Sequence, residues 1–256
     1  MPQSQARASA SAGTFVALSG TGALVLVALR RSAGPVSLRR LASPTLKALG
    51  PVLRVAGPTF GEKLVFHVGF LVFAAYIGRL GDVAMAANQT LIAIESMGFI
   101  VAAGFGIASG ALVAQKLGVG RPDEAAACGW LSAALGVVVL GATGVLFWVL
   151  PGPLIGLISQ DPEVMAVGVP CLRMAAVAQP LMALVEAFSG GLRGAGDTRS
   201  PLVVTLMSPV VFRLALCWWL AFELGHGLLG IWIGTTIEWG VRALALGLIF
   251  GAGRWR

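Results

Sequence analysis

The sequence predicts an all-α protein: a polytopic membrane helix bundle of six complete transmembrane helices plus one short N-terminal hydrophobic helix. Two observations carry this. Six long apolar spans occupy residues 52–78, 84–115, 127–150, 164–192, 201–222 and 228–251. Each reaches the roughly 20 residues that cross a bilayer as a helix. The chain is also 57% hydrophobic and only 11% charged, with a mean hydropathy of +0.88, whereas a soluble domain carries about 25% charged residues. Such a chain cannot cover itself with polar surface in water. In lipid the backbone must satisfy its own hydrogen bonds, so long apolar spans are helices.

The N-terminal region, residues 1–29, is a polar tail followed by a shorter apolar run at 14–29. The run reads as the remnant of a spanning helix rather than a cleaved signal peptide, because one Arg precedes it and no small-residue cleavage site follows. Residues 30–51 form a basic cytoplasmic linker, with Arg30, Arg31, Arg39, Arg40 and Lys47 set among Gly and Pro. Residues 52–256 form a six-helix lobe, and the short gaps within it make neighbouring helices antiparallel.

The net charge of +7 does not imply nucleic acid, because the basic residues share no soluble face. They fall in alternate gaps: Lys116 and Arg121, then Arg193 and Arg199, then Arg254 and Arg256. The intervening gaps hold Arg79 with Asp82, Asp161 with Glu163, and Glu223. This is the positive-inside pattern, which expects a multi-pass protein of the cell's inner (plasma) membrane with a cytoplasmic C-terminus. Trp148, Trp218, Trp219 and Trp232 near outer ends, with Trp130 and Trp255 near inner ends, fit an aromatic belt; Trp239 falls mid-span and does not.

Cys128, Cys171 and Cys217 are scattered singly and read as small core residues. His67 and His226 are too far apart for a metal site. No metalloprotease or nucleophile-elbow motif occurs, so no enzyme, metal or cofactor is expected. Two cytoplasmic gaps resemble each other. One carries Gly118, Gly120, Arg121 and Pro122; the other carries Arg193, Gly194, Gly196, Asp197 and Pro201. Gly ends a helix, Asp or Thr caps the next, and Pro suits its first turn. Neither gap has the Gly-x-x-x-x-Gly-Lys-Ser/Thr of a nucleotide-binding loop. Without a nucleotide site, any transport would have to use an ion gradient or simple exchange.

Residues 104–125 (Gly-Phe-Gly-Ile-Ala-Ser-Gly-Ala-Leu-Val-Ala-Gln-Lys-Leu-Gly-Val-Gly-Arg-Pro-Asp-Glu-Ala) resemble the multidrug and toxic compound extrusion (MATE) family. So do residues 190–201 (Gly-Gly-Leu-Arg-Gly-Ala-Gly-Asp-Thr-Arg-Ser-Pro) and residues 81–89 (Gly-Asp-Val-Ala-Met-Ala-Ala-Asn-Gln). Arg213-Leu214, Gly230-Ile-Trp-Ile233 and Gly253-Arg-Trp255 continue the order. The resemblance covers about residues 50–256. It implies an antiporter of two six-helix lobes, coupled to H+ or Na+, that expels organic cations or other amphipathic compounds by alternating access. This chain resembles the second lobe, so a second lobe or a homodimer is an implied partner alongside small-molecule substrates and the bilayer. Two other readings stay open: a flippase for lipid-linked oligosaccharides from the same superfamily, and a non-transporting fragment of a broken gene.

Ionisable groups inside spans are costly, which makes them functional candidates. Glu62, Glu95 and Glu186 are candidates for coupling a cation or proton. The resemblance adds that relatives often carry a carboxylate at the place of Glu62, and some a second acid where His67 stands. The alternatives are a headgroup position for Glu62 and structural bonds for Glu95 and Glu186. His67, Arg213 and Glu238 are candidates for the substrate cavity. Glu238 and Arg242 also have the spacing of a self-compensating pair on one helix face.

Overall fold

The chain divides into Met1–Pro58 and Thr59–Arg256. A computed structural model describes residues 67–255, all within the second unit. The short helix expected at 14–29, the linker at 30–51 and Glu62 lie outside the described residues.

The described chain is helical throughout. A short apolar helix, α1 (His67–Gly78), is followed by α2 (Asp82–Gly118), α3 (Pro122–Val149), α4 (Pro151–Gly156), α5 (Pro162–Gly194), α6 (Arg199–Glu223) and α7 (Gly227–Gly251). Five of these, α2, α3, α5, α6 and α7, are long and apolar enough to cross a membrane, as the sequence predicts. The first expected span, 52–78, is described only over α1.

Local chemistry sets the ends. Proline opens α3, α4 and α5, where its missing N–H costs no hydrogen bond. Asp161 caps α5, its Oδ1 accepting from the Glu163 amide at 2.9 Å. The two resembling cytoplasmic gaps adopt one geometry. Gly120 (φ 74°) and Gly196 (φ 87°) take the left-handed conformation. The amides of Gly120 and Arg121 donate to Leu117 O and Lys116 O, and those of Gly196 and Asp197 donate to Arg193 O and Leu192 O, all at 2.9–3.0 Å. Both are Schellman terminations.

Two features depart from the expected layout. The one-turn helix α4 occupies a gap read as a loop, started by Pro151. Within α6 the winding widens to a π-helix at Ser208–Arg213 and again at Trp219–Glu223. Pro209 lies in the first wide stretch and lacks the N–H that an α-helical rung needs.

Helix α5 is central and packs against α2, α3 and α7. The buried apolar side chains form two clusters. One joins the start of α2 (Ala87, Leu91, Ile94), the start of α5 (Leu172, Ala175) and the start of α7 (Ile231) to Phe147 of α3 and Cys217 of α6. The other joins the ends of α2, α5 and α7 (Val113, Phe188, Phe250) to the start of α3 (Ala133). Met97, Ile107, Val138, Val145, Leu244 and Leu248 stay exposed, as a lipid-facing surface requires. Tyr76 of α1 meets Trp218 of α6 edge-on at 5.2 Å, and the Arg79 guanidinium lies 5.0 Å from the same ring.

The α2–α5 seam is made of backbone. A Cβ placed on Gly106 would lie 2.8 Å from Glu186 O, one on Gly110 would lie 2.9 Å from Gly190 O, and those on Gly190 and Gly194 would collide with the carbonyls of Gly106 and Gly110. The four glycines form one small-xxx-small pair on each helix, the pattern that lets membrane helices approach closely. Replacing Gly190 with Ala should therefore destabilise the bundle by about 1–3 kcal/mol through overpacking. The same change at Gly118, where no neighbour lies within 4 Å, should leave thermal unfolding in detergent nearly unmoved.

Candidate functional site

Between the two apolar clusters the chain places its buried charges. Glu238 of α7 has no exposed surface. Its Oε1 accepts from Arg242 Nε at 2.9 Å and from Arg242 Nη2, one turn along the same helix. Its Oε2 accepts from Nη2 of Arg213 at 2.6 Å. Arg213 comes from α6, where it ends the first π-helical stretch. The Arg242 guanidinium also covers the Trp239 ring at 4.5 Å, which accounts for a tryptophan at mid-span. One carboxylate thus ties α6 to α7 through two guanidiniums, in surroundings where a lone charge would be severely penalised.

Arg213 also faces a cavity of about 170 Å³. Helix α1 contributes Phe70 and Phe73, α2 contributes Asn88, Ile92 and Glu95, and α7 contributes Trp232 and Thr235. The spacing of 88, 92 and 95 puts all three on one face of α2. Glu95 lies within electrostatic reach of Arg213, and its Oε1 has no hydrogen-bond partner among the described residues.

A second cavity, about 410 Å³, lies along the α2–α5 seam. Its floor is Gly106, Gly110, Gly190 and Gly194, and its charged groups are Glu186 and Arg193, two turns apart on α5. Glu186 lies within electrostatic reach of both Arg193 and Arg242. The cavity thus presents one carboxylate with cationic neighbours on its own helix and on α7.

The structure therefore brings Arg213, Glu238 and Glu95 together and sets Glu186 in a separate cavity. Glu238 lines neither cavity. His67 is exposed and also lines neither. Gly118, Gly120, Arg193, Gly194, Gly196 and Asp197 occupy the two helix terminations already described. Ionisable groups alone mark the site in the sequence, which leaves out Asn88 and Gln179 and puts Trp232 in the aromatic belt; all three are buried and carry a polar atom with no partner among the described residues. Asn88 and Gln179 carried a usable signal: an uncharged amide inside an apolar span also has to find a partner.

Asp197 lies in the turn before α6, and its Oδ1 accepts from the Ser200 amide at 3.0 Å. Partial burial acts to raise its pKa. Hydrogen bonds from Ser200 and the Arg199 amide outweigh this and hold the carboxyl below its usual range.

A sequence model of the MatE family matches residues 58–219. The chain belongs to the MatE family. Curated relatives agree with this MatE assignment. The chain is 29% identical over 258 residues to the probable multidrug resistance protein NorM of Thermotoga maritima, covering 99% of this chain and 54% of the relative. It is 34% identical over 200 residues to the probable NorM of Brucella suis, covering 76% of this chain and 41% of the relative. It thus spans about half the length of the curated relatives it matches. Among solved structures, a MOP superfamily transporter from Pyrococcus furiosus superposes with a TM-score of 0.69 at 19% identity, over 77% of this chain and 43% of that one. An outward-facing multidrug resistance MATE family transporter superposes with a TM-score of 0.66 at 20% identity, over 77% of this chain and 43% of that one. These structures share the MatE chain's fold.

Two outcomes follow for the MatE chain. Glu238→Gln leaves the buried Arg242 and the partly buried Arg213 guanidiniums short of a countercharge and should cost about 3–5 kcal/mol in unfolding measured in detergent. Asp197→Ala should cost about 1 kcal/mol near neutral pH. A depressed folded pKa gives stability that is present above the unfolded value of about 3.9 and lost as pH falls through the folded value. The gap between Asp197→Ala and the parent, read by thermal unfolding across pH, should therefore narrow below about pH 4.

Proposed function

We propose that this chain is one lobe of a cation-coupled antiporter that exports organic cations or other amphipathic compounds by alternating access. MatE membership and relatives named as multidrug resistance proteins support the transport class. The observation that carries coupling is Glu95, a carboxylate in the middle of a membrane helix whose Oε1 is unpartnered among the described residues. Ionisable groups in such places serve ion and proton pathways. In this reading Glu95 and Glu186 take up and release H+ or Na+, and Glu62, outside the described residues, completes the set. Arg213, itself bonded to Glu238, sets the charge of the Glu95 cavity.

A path between two lobes needs a second lobe beside this one, because transporters built from repeats bind at the repeat interface. The alternation of basic gaps supports an inner-membrane orientation with the C-terminus in the cytoplasm.

Expression in a host stripped of its own pumps should raise tolerance to a cationic dye such as ethidium. Glu95→Gln should abolish that gain while the protein still reaches the membrane, as judged by immunoblot of the membrane fraction. A wild-type chain that is present in the membrane and confers no tolerance would sink the export reading.

A further inference from the structure

The cavity beside Arg213 has a division of chemistry that coupling alone does not need. Four of its lining side chains each carry a buried polar atom with no hydrogen-bond partner among the described residues: Asn88 Oδ1, Glu95 Oε1, Arg213 Nε and Trp232 Nε1. Two of these are acceptors and both come from α2. The other two are N–H donors, one from α6 and one from α7. The cavity thus takes its free acceptors from α2 and its free donors from α6 and α7, with Phe70 and Phe73 of α1 as its aromatic side. A buried donor or acceptor left unmade loses its bond to water without replacement, so a group that satisfies all four gains on every side.

Few groups match this count. A primary carboxamide offers two N–H donors and a carbonyl oxygen with two lone pairs. A carboxylate accepts from Arg213 and Trp232 but offers nothing to Asn88 and sets its charge against Glu95. A quaternary ammonium offers no N–H and meets the Arg213 guanidinium in the same cavity. We propose that this cavity binds a primary carboxamide, its N–H groups donating to Asn88 Oδ1 and Glu95 Oε1 and its oxygen accepting from Arg213 Nε–H and Trp232 Nε1–H, with an attached ring or chain against Phe70 and Phe73. That such a head group belongs to an exported solute rests on the export reading; binding itself does not.

The test uses three probes that share a phenyl ring, benzamide, its isostere benzoate and the bulkier benzyltrimethylammonium, titrated calorimetrically into the full chain in lipid nanodiscs. Benzamide should bind at least tenfold more tightly than either of the others. Trp232→Phe, which keeps an aromatic ring and removes the N–H, and Asn88→Leu should each weaken benzamide about tenfold, the equivalent of about 1.4 kcal/mol. Both should leave benzyltrimethylammonium unchanged. Equal binding of all three probes, as for partition into lipid or a cavity held by water alone, overturns the proposal. So does tightest binding by the ammonium or the carboxylate, no binding of benzamide, or a benzamide preference that survives both substitutions. Because no gradient or transport enters the measurement, its failure is separate from failure of the dye-tolerance test.

Discussion

A carboxylate with no exposed surface, held between two guanidiniums, is the constraint around which the rest of this bundle is arranged. Glu238 cannot be charged at its depth without Arg242 and Arg213, and the buried Arg242 and partly buried Arg213 cannot sit side by side without Glu238. Arg242 is provided by the same helix, one turn on. Arg213 has to come from α6, so the position of α6 against α7 is fixed by charge as well as by packing. Apolar clusters lie on either side of this layer. Two cavities beside this layer each contain a carboxylate.

Those two carboxylates have different surroundings. Glu95 shares a small, partly aromatic cavity with Arg213, a cation already engaged by Glu238. Glu186 lies over a floor of glycine backbone, near Arg193 and Arg242. Arg242 therefore acts electrostatically on Glu186, while Arg213 acts on Glu95, and Glu238 holds both arginines. The two cavities are joined by charge although no lining residue is common to them.

Much of the fold was legible because bilayer thickness and helix termination are local, strong signals. The spans after residue 84, the Gly-x-Gly terminations and the prolines that open helices could all be read from short stretches. So could the Glu238–Arg242 pair, four residues apart. Arg213 as the third member could not, since it stands 25 residues before Glu238 and reaches it only through tertiary packing. The wide turns of α6 were also hidden. A proline inside a membrane helix can be met by a kink, a bridging hydroxyl or a π-helical stretch, and the choice rests with the neighbours. In the candidate site, Glu95 was readable as a charge in lipid. Trp232 was read as an interfacial belt residue because its ring suits a headgroup region equally well; only packing shows it buried against the cavity.

The seam between α2 and α5 carries a thermodynamic consequence. Membrane helices form first and associate afterwards, so the backbone order of Gly106, Gly110, Gly190 and Gly194 is established before the two helices meet. Glycine has no side chain whose rotamers must then be frozen, whereas each long side chain immobilised elsewhere gives up as much as about 2 kcal/mol of conformational entropy. Docking along this line is thus nearly free of that loss, and its strength should change little on warming. The centre of the bundle is joined by its least temperature-sensitive contact, and heat should loosen the helices at its edge before it separates this pair.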